Sequence, residues 1–213
     1  MGNQEYYVIG DFLASIYDFP HKLMPGLMRN LCQKAVELIP KEPERILDMA
    51  TGTASIAIQA KKAFPKADVY GVDLSESMLL KAAKKAEKTK TKIKLSRQNI
   101  ESTDFANGFF DAVTIGFAMH HVAKQKTRQV LMEAKRVLKD DGKIVVVDIH
   151  KPNNFLLKAL LLSAVTVIEK YAKPFLKQDM AEELKAAGFI CVKKITHYKG
   201  MVQVVEGVKS RKP

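Results

Sequence analysis

Two short apolar runs, each closed by an acid, constrain this chain more than anything else in it. Ile46-Leu47 ends in Asp48, and Val69-Tyr70-Gly71-Val72 ends in Asp73. Between them Met49-Ala50-Thr51-Gly52-Thr53-Ala54 turns out of the first run into a helix-like stretch. A strand ending in a carboxylate, a tight turn of small residues, a helix and a second acid-closed strand make the unit from which a parallel α/β sheet builds a nucleoside site. Asp73 lies roughly 20 residues past the turn, where a second-strand carboxylate accepts hydrogen bonds from ribose hydroxyls. A nucleoside-containing cofactor is the first expectation.

A dinucleotide turn needs Gly-x-Gly-x-x-Gly so that backbone can approach a pyrophosphate, and that frame laid on Ala50, Gly52 and Ser55 matches only at Gly52. Asp-x-small-x-Gly-x-small suits S-adenosylmethionine better. That cofactor has no phosphate, its amino-acid end can lie on exposed backbone, and its carboxylate can use a helix N-terminus as an anion site. Taken alone, the motif stands about even with an ordinary strand, turn and helix capped by an Asp.

The rest of the chain alternates in the same way. Residues 25–39 read as a helix, with Pro25 suited to its first turn and Pro40 stopping it. Helices are expected at 54–62, 77–88 and 127–138, and strands at 69–72, 93–95, 112–117 and 144–149. Short apolar runs separated by helices mean a parallel sheet covered on both faces, with ligands beyond the carboxyl ends of the strands. Residues 155–168 are apolar almost throughout but shorter than a membrane span of about 20 residues, so they read as a buried or substrate-covering helix. A helix at 178–187 ended by Gly188, then strands at 189–198 and 201–209, close the chain as a hairpin.

Several later segments carry a family likeness. Arg97-Gln98-Asn99-Ile100-Glu101 looks like a third-strand element whose polar side chain faces an adenine and whose apolar neighbour packs on the ring. Phe109-Phe110-Asp111-Ala112-Val113-Thr114-Ile115-Gly116-Phe117 resembles a fourth strand, followed by the loop Ala118-Met119-His120-His121-Val122. Residues 136–148 resemble a helix, a turn at Lys139-Asp140-Asp141-Gly142 and a fifth strand. From about residue 17 to residue 209, in order and spacing, the chain resembles the class I S-adenosylmethionine-dependent methyltransferases. Within that class it resembles the ubiquinone/menaquinone-biosynthesis C-methyltransferases and their small-molecule relatives. They share the Ala at position 50, the form Ser75-Glu76-Ser77-Met78-Leu79, the Ala187-Gly188-Phe189 ahead of the hairpin and the Ile16-Tyr17-Asp18 element. Thr51 and Ala54 depart from glycines, His120-His121 stand where those enzymes carry Arg-Asn, and the stretch 153–178 looks shorter than theirs.

The resemblance implies a Rossmann-like, mostly parallel seven-stranded sheet with helices on both faces and a C-terminal antiparallel hairpin, all in one methyltransferase domain spanning 1–213. Within it, 1–40 would supply helices over the active site, 41–150 the cofactor-binding core, 151–178 an apolar substrate cap and 179–213 the closing helix and hairpin. It implies S-adenosylmethionine as cofactor, with S-adenosylhomocysteine as product, held by Asp48, Ala50, Thr51, Gly52, Thr53, Asp73, Leu74, Met78, Asn99, Ile100, Gly116 and Phe117. His120, His121 and Tyr17 are the catalytic candidates: histidine titrates in the range useful for taking a proton from the acceptor, and the tyrosine lies near the cofactor in the family. The expected reaction is methyl transfer to a small, partly apolar acceptor, quinone-like or another small metabolite.

Bulk composition narrows the rest. Cys32 and Cys191 are far apart, with no Cys-x-x-Cys or Cys/His cluster, so two buried thiols in a reducing cytosol and no metal are expected. The N-terminus lacks a basic start followed by an apolar core, so export is not expected. The net charge of +12 raises nucleic acid as a partner. The excess is mostly lysine, however, whereas base and phosphate forks favour arginine, and Lys81, Lys84, Lys85 and Lys88 read as one solvated helix face. A nucleic-acid methyltransferase and a non-enzymatic S-adenosylmethionine-binding module are the alternative readings, and contact with an anionic membrane surface fits a lipid-soluble acceptor.

Overall fold

The computed structural model describes residues 25–152, 154–155 and 175–211. Its strands are β1 (Arg45–Met49), β2 (Asp68–Asp73), β3 (Lys94–Arg97), β4 (Phe110–Gly116), β5 (Leu138–Ile149), β6 (Phe189–His197) and β7 (Val202–Lys209). Its helices are α1 (Pro25–Glu37), α2 (Ser55–Ala63), α3 (Glu76–Lys88), α4 (Lys124–Val137) and α5 (Met180–Ala186), with a 3-10 turn at Met119–His121. The strands form one seven-stranded sheet in the order β3-β2-β1-β4-β5-β7-β6. The first five run parallel, and β7 runs antiparallel between β5 and β6. The expected sheet and closing hairpin are therefore present. Strand order reverses between β1 and β4, which opens a crevice beyond the carboxyl ends of those strands.

The apolar runs work because a strand points successive side chains to opposite faces. Leu47, Met49, Val113, Ile115, Ile144 and Val146 face one layer, packed with Leu131, Met180 and Leu184 from α4 and α5. Ile46, Ala112, Val145 and Val147 face the other, packed with Leu31, Ala35, Ile58 and Ala82 from α1, α2 and α3. Each helix buries its apolar stripe; its ends follow local chemistry. The Ser75 hydroxyl accepts from the Met78 amide to start α3, and the Asp179 carboxylate accepts from the Ala181 amide to start α5.

Three sequence expectations change. The turn expected at 139–142 is a bulge inside β5: pairing with β4 jumps from Phe110↔Leu138 to Ala112↔Lys143, and Asp140 and Asp141 loop outward. Cys191 is exposed, because it sits at φ 52° where β6 slips register against β7 on the sheet edge, while Cys32 is buried as expected. The lysine face of α3 is only partly solvated: Lys84 and Lys88 are exposed, but Lys85 turns in and its Nζ donates to Ser55 Oγ at 2.7 Å. Tyr17 and His21, with the N-terminal roof and most of the 155–168 run, lie outside the described residues.

At the strand starts, opposite the crevice, Tyr70, Phe105, Phe109 and Phe110 form an aromatic cluster with centroids 4.9–6.2 Å apart, Phe105 and Phe109 stacked and the other pairs edge-to-face. The Arg45 guanidinium lies 4.4 Å over the Phe109 ring. Phe110 is fully buried at the centre. Phe110→Ala is expected to cost about 3–5 kcal/mol in urea unfolding, the range for emptying a buried aromatic site. A cost below about 1 kcal/mol would show that this end of the sheet collapses around the gap.

Candidate functional site

The turn after β1 is built from alternating left-handed backbone: Ala50, Gly52 and Ala54 have φ of 52°, 52° and 58°. Such a conformation costs an alanine roughly 1–2 kcal/mol and glycine little. Two bonds hold it against β2. The Thr51 amide donates to Val72 O at 2.9 Å, and the Gly52 amide donates to Asp73 Oδ2 at 2.8 Å. A side-chain carbon added at Gly52 would meet nothing within 4 Å, so open space lies directly above this glycine.

Asp48 lies beneath the turn. It is 2% exposed; its Oδ2 accepts from Thr51 Oγ1 at 2.6 Å and its Oδ1 from Thr114 Oγ1 at 2.7 Å. Thr114 is its register partner on β4. Burial pushes the Asp48 carboxyl up to about 6, against the pull of those two hydroxyls. Asp73 is half-buried at the end of β2 and accepts from Ser75 N through Oδ1 as well as from Gly52 N through Oδ2. Burial raises its pKa too. A carboxylate has about four acceptor positions, so these backbone donors leave capacity for a hydroxyl donor.

The other expected residues spread along the same edge. Thr51 and Thr53 are buried, Ala50 is half-buried, Leu74 is 39% exposed and Met78 is buried in the first turn of α3. Gln98 N donates to Asp73 O, bringing the end of β3 beside β2. Asn99 is exposed and its Oδ1 turns the chain by accepting from Glu101 N, while Ile100 packs against the core. Gly116 closes β4 beneath α2; a side-chain carbon there would stand 2.4 Å from Ile56 Cδ1. Phe117 follows with φ 52°, its amide bound to Val147 O. The structure thus joins Gly52 to Asp73 directly, sets Asn99, Ile100, Gly116 and Phe117 along one rim, and turns the Asp48 carboxylate away from that rim into the protein.

The two histidines after β4 differ. His120 is 7% exposed, and its Nδ1 lies 2.5 Å from Oδ1 of Asp148, which is wholly buried in β5. The His120 amide also donates to Asp148 Oδ2 at 3.2 Å, and Ile149 N donates to Oδ1 at 2.7 Å. The His121 ring is half-buried, 4.1 Å from that of His120, and Phe175 approaches His120 edge-on at 6.3 Å. His150, also at this end of the sheet, instead ties its Nδ1 to Gly200 O at 2.8 Å and so fastens the β6–β7 turn. Sequence reasoning passed over Asp148 as a site residue. Its signal was an acid inside the apolar run Ile144–Ile149, where a parallel strand buried on both faces ordinarily carries none.

The sheet order is that of Rossmann-like methyltransferases. Residues 46–142 match a family model described as a methyltransferase domain. A demethylmenaquinone methyltransferase of Bacteroides fragilis is 30% identical over 184 residues, 84% of this chain and 73% of the relative. A ubiquinone/menaquinone biosynthesis C-methyltransferase of Syntrophotalea carbinolica is 37% identical over 152 residues, 70% of this chain and 63% of the relative. Among solved structures, an S-adenosylmethionine-dependent methyltransferase of Thermotoga maritima superposes with a TM-score of 0.74 at 19% identity, covering 96% of this chain and 99% of that one. The chain belongs to the S-adenosylmethionine-dependent methyltransferase family that holds these menaquinone and ubiquinone enzymes. It is an enzyme, and its cofactor is S-adenosylmethionine.

The raised pKa of Asp48 carries a signed consequence. Folding favours its protonated form, so its contribution to stability is complete below the ordinary value of 3.8 and is lost as pH rises through about 6. Relative to an Asp48→Asn variant, the wild type is expected to lose on the order of 3 kcal/mol between about pH 4 and pH 7, because each tenfold gain in proton affinity on folding is worth about 1.4 kcal/mol. Urea unfolding of both proteins across that range measures it, and a pH-independent difference would refute the desolvation of this carboxylate.

Proposed function

We propose that this enzyme transfers the methyl group of S-adenosylmethionine to a small, partly apolar acceptor of the hydroquinone type, at the rim between β1, β2 and β4. The observation that carries the reading is the Gly52 amide bound to the Asp73 carboxylate under open space. That cradle fits the cofactor. Gly52 leaves room for the methionine end on bare backbone, and Asp73 keeps acceptor capacity toward the ribose hydroxyls. Exposed Asn99 and half-buried Ile100 stand where the adenine would lie, with Leu74, Met78, Gly116 and Phe117 completing the wall. Asp48, Ala50, Thr51 and Thr53 shape the turn from below and beside it.

When bound, the cofactor supplies an electrophilic methyl on a sulfonium, a leaving group that needs no protonation. The protein's work is then alignment, exclusion of water and removal of a proton. Alignment alone is worth about 7–11 kcal/mol in favourable cases. His120 is the base in this reading, because a carboxylate holds its ring at the end of β4; His121 and Tyr17 bear on the acceptor's position. The acceptor named by the relatives is a demethylated menaquinone or a ubiquinone precursor, and a phenolic hydroxyl gives His120 a proton to take. An acceptor of that solubility would bring this basic protein to an anionic bilayer surface. Among the described residues, no helix is long and apolar enough to cross that bilayer.

Asp73→Ala is expected to weaken S-adenosylhomocysteine binding about ten- to a hundredfold by calorimetry, the worth of hydrogen bonds to a charged group; unchanged affinity would remove Asp73 from the site. His120→Ala is expected to lower kcat by roughly a hundredfold or more, with cofactor affinity kept. His121→Ala should retain the wild-type pH-rate profile. Wild-type profiles from both would leave the reaction without a protein base.

A further inference from the structure

The arrangement around His120 assigns work to a residue outside the expected set. We propose that Asp148 is a positioning residue: it holds His120 with the proton on Nδ1, so that Nε2 is the nitrogen that receives the acceptor's proton. This rests on the methyl-transfer reading of the same site.

The geometry is specific. One carboxylate, with no exposed surface, grips both ends of the histidine: Oδ1 meets the ring at Nδ1, and Oδ2 takes the backbone amide. The Ile149 amide donates to Oδ1 as well, fixing the carboxylate in turn. Across the β5–β7 ladder the register partner of Asp148 is Gln203, 1% exposed, whose Nε2 donates to Ile149 O and locks the same strand end. Among the described residues, the titratable groups set against His120 include Asp148 on β5 and His121 on its own turn. β7 offers the Gln203 amide behind Asp148, and the segment leading to α5 offers the apolar Phe175 ring.

Loop anchoring does not require such a pair. His150 anchors its loop by donating from one ring nitrogen to a neutral carbonyl, with no carboxylate involved. Burying a carboxylate costs several kcal/mol even after relaxation, so a carboxylate in that role is costly unless positive charge develops beside it. A base that becomes imidazolium during each turnover supplies that charge. The same logic operates where a buried carboxylate orients a catalytic histidine and stabilises its protonated form without itself being protonated.

The step balances as follows. The acceptor O–H bond breaks and its proton passes to Nε2 of His120. The electron density so freed forms the bond to the methyl carbon, while the pair of the broken carbon–sulfur bond stays on sulfur. If the methyl lands on oxygen, the imidazolium returns its proton to solvent. If it lands on ring carbon, that carbon's own proton leaves and the oxygen is reprotonated. Either way one proton is released per methyl transferred.

Long-range proton–nitrogen correlation NMR of the wild-type protein reads the tautomer, with and without S-adenosylhomocysteine. The expected result is His120 protonated at Nδ1; protonation at Nε2 overturns the proposal. In Asp148→Asn the Nδ1 signature is expected to be lost or mixed, with S-adenosylhomocysteine affinity by calorimetry unchanged. With 1,4-naphthohydroquinone as acceptor, kcat should fall at least about a hundredfold with KM within about twofold, and Asp148→Glu should recover part of the loss. An Asp148→Asn variant that keeps both kcat and tautomer refutes the assignment. If that variant fails to fold, the wild-type tautomer still decides. Absence of S-adenosylhomocysteine binding by the wild type would sink the cofactor site instead, and absence of turnover of the hydroquinone would sink the acceptor reading. In both cases the tautomer judges Asp148 on its own.

Discussion

A carboxylate buried beneath a strained turn underlies the whole open edge of this sheet. Asp48 gives up its hydration to accept two hydroxyl hydrogen bonds, one from the turn above it at Thr51 and one from the neighbouring strand at Thr114. The penalty shows in its raised pKa. In return, the turn is tied to β1 and β4 at once, and the Gly52 amide is presented to Asp73 at a fixed height. Isolated left-handed alanines at 50 and 54 would relax if nothing held them. Two strands and an acid over-determine them here.

The three acids of the site divide among three environments. Asp48 shares its face of the sheet with Ile46, in the layer of α1, α2 and α3, and works as a brace. Asp148 shares the opposite face with Val146, in the layer of α4 and α5, and works on a histidine. Asp73 lies on β2, on the far side of Asp48 from Asp148, half-buried at the rim, its backbone donors leaving part of its acceptor capacity unspent. One residue type thus supplies a structural clamp, an orienting group and a ligand-facing acceptor. Which of these it becomes is set by the number of fixed donors and the depth of burial, both consequences of where each strand ends.

Much of this was legible in the chain. Short continuous apolar runs, acids at strand ends and Pro or Gly at helix ends specify a parallel sheet with a crevice at one rim, because each is a local rule the fold obeys. Contacts between distant segments were not. Asp148 and His120 are 28 residues apart on different elements, and only the pairing of β4 with β5 brings them together. The bulge at 139–142 looked like a turn because Asp-Asp-Gly is turn chemistry; the sheet absorbed it once Leu138 and Lys143 both paired with β4. Cys191 looked apolar and buried, but an edge strand has no neighbour to cover it. Lys85 was assigned to solvent by helical spacing, which is blind to the hydroxyl of Ser55 at the start of the adjacent helix.

The departures in the glycine turn also follow from the brace. A glycine at position 51 would have no hydroxyl to offer Asp48, whereas Thr51 Oγ1 supplies its shortest hydrogen bond. The exchange needs room, and β2 provides it: a side-chain carbon at Gly71, the register partner of Asp48, would stand 3.0 Å from Thr51 Oγ1 and 2.9 Å from Leu95 Cδ2. The glycine lost from the turn is matched by one required on the neighbouring strand. Substituting either position alone therefore strikes the same buried carboxylate, Thr51 by removing its donor and Gly71 by pushing that donor away. In this chain the two positions behave as one structural unit, although 20 residues separate them along the sequence.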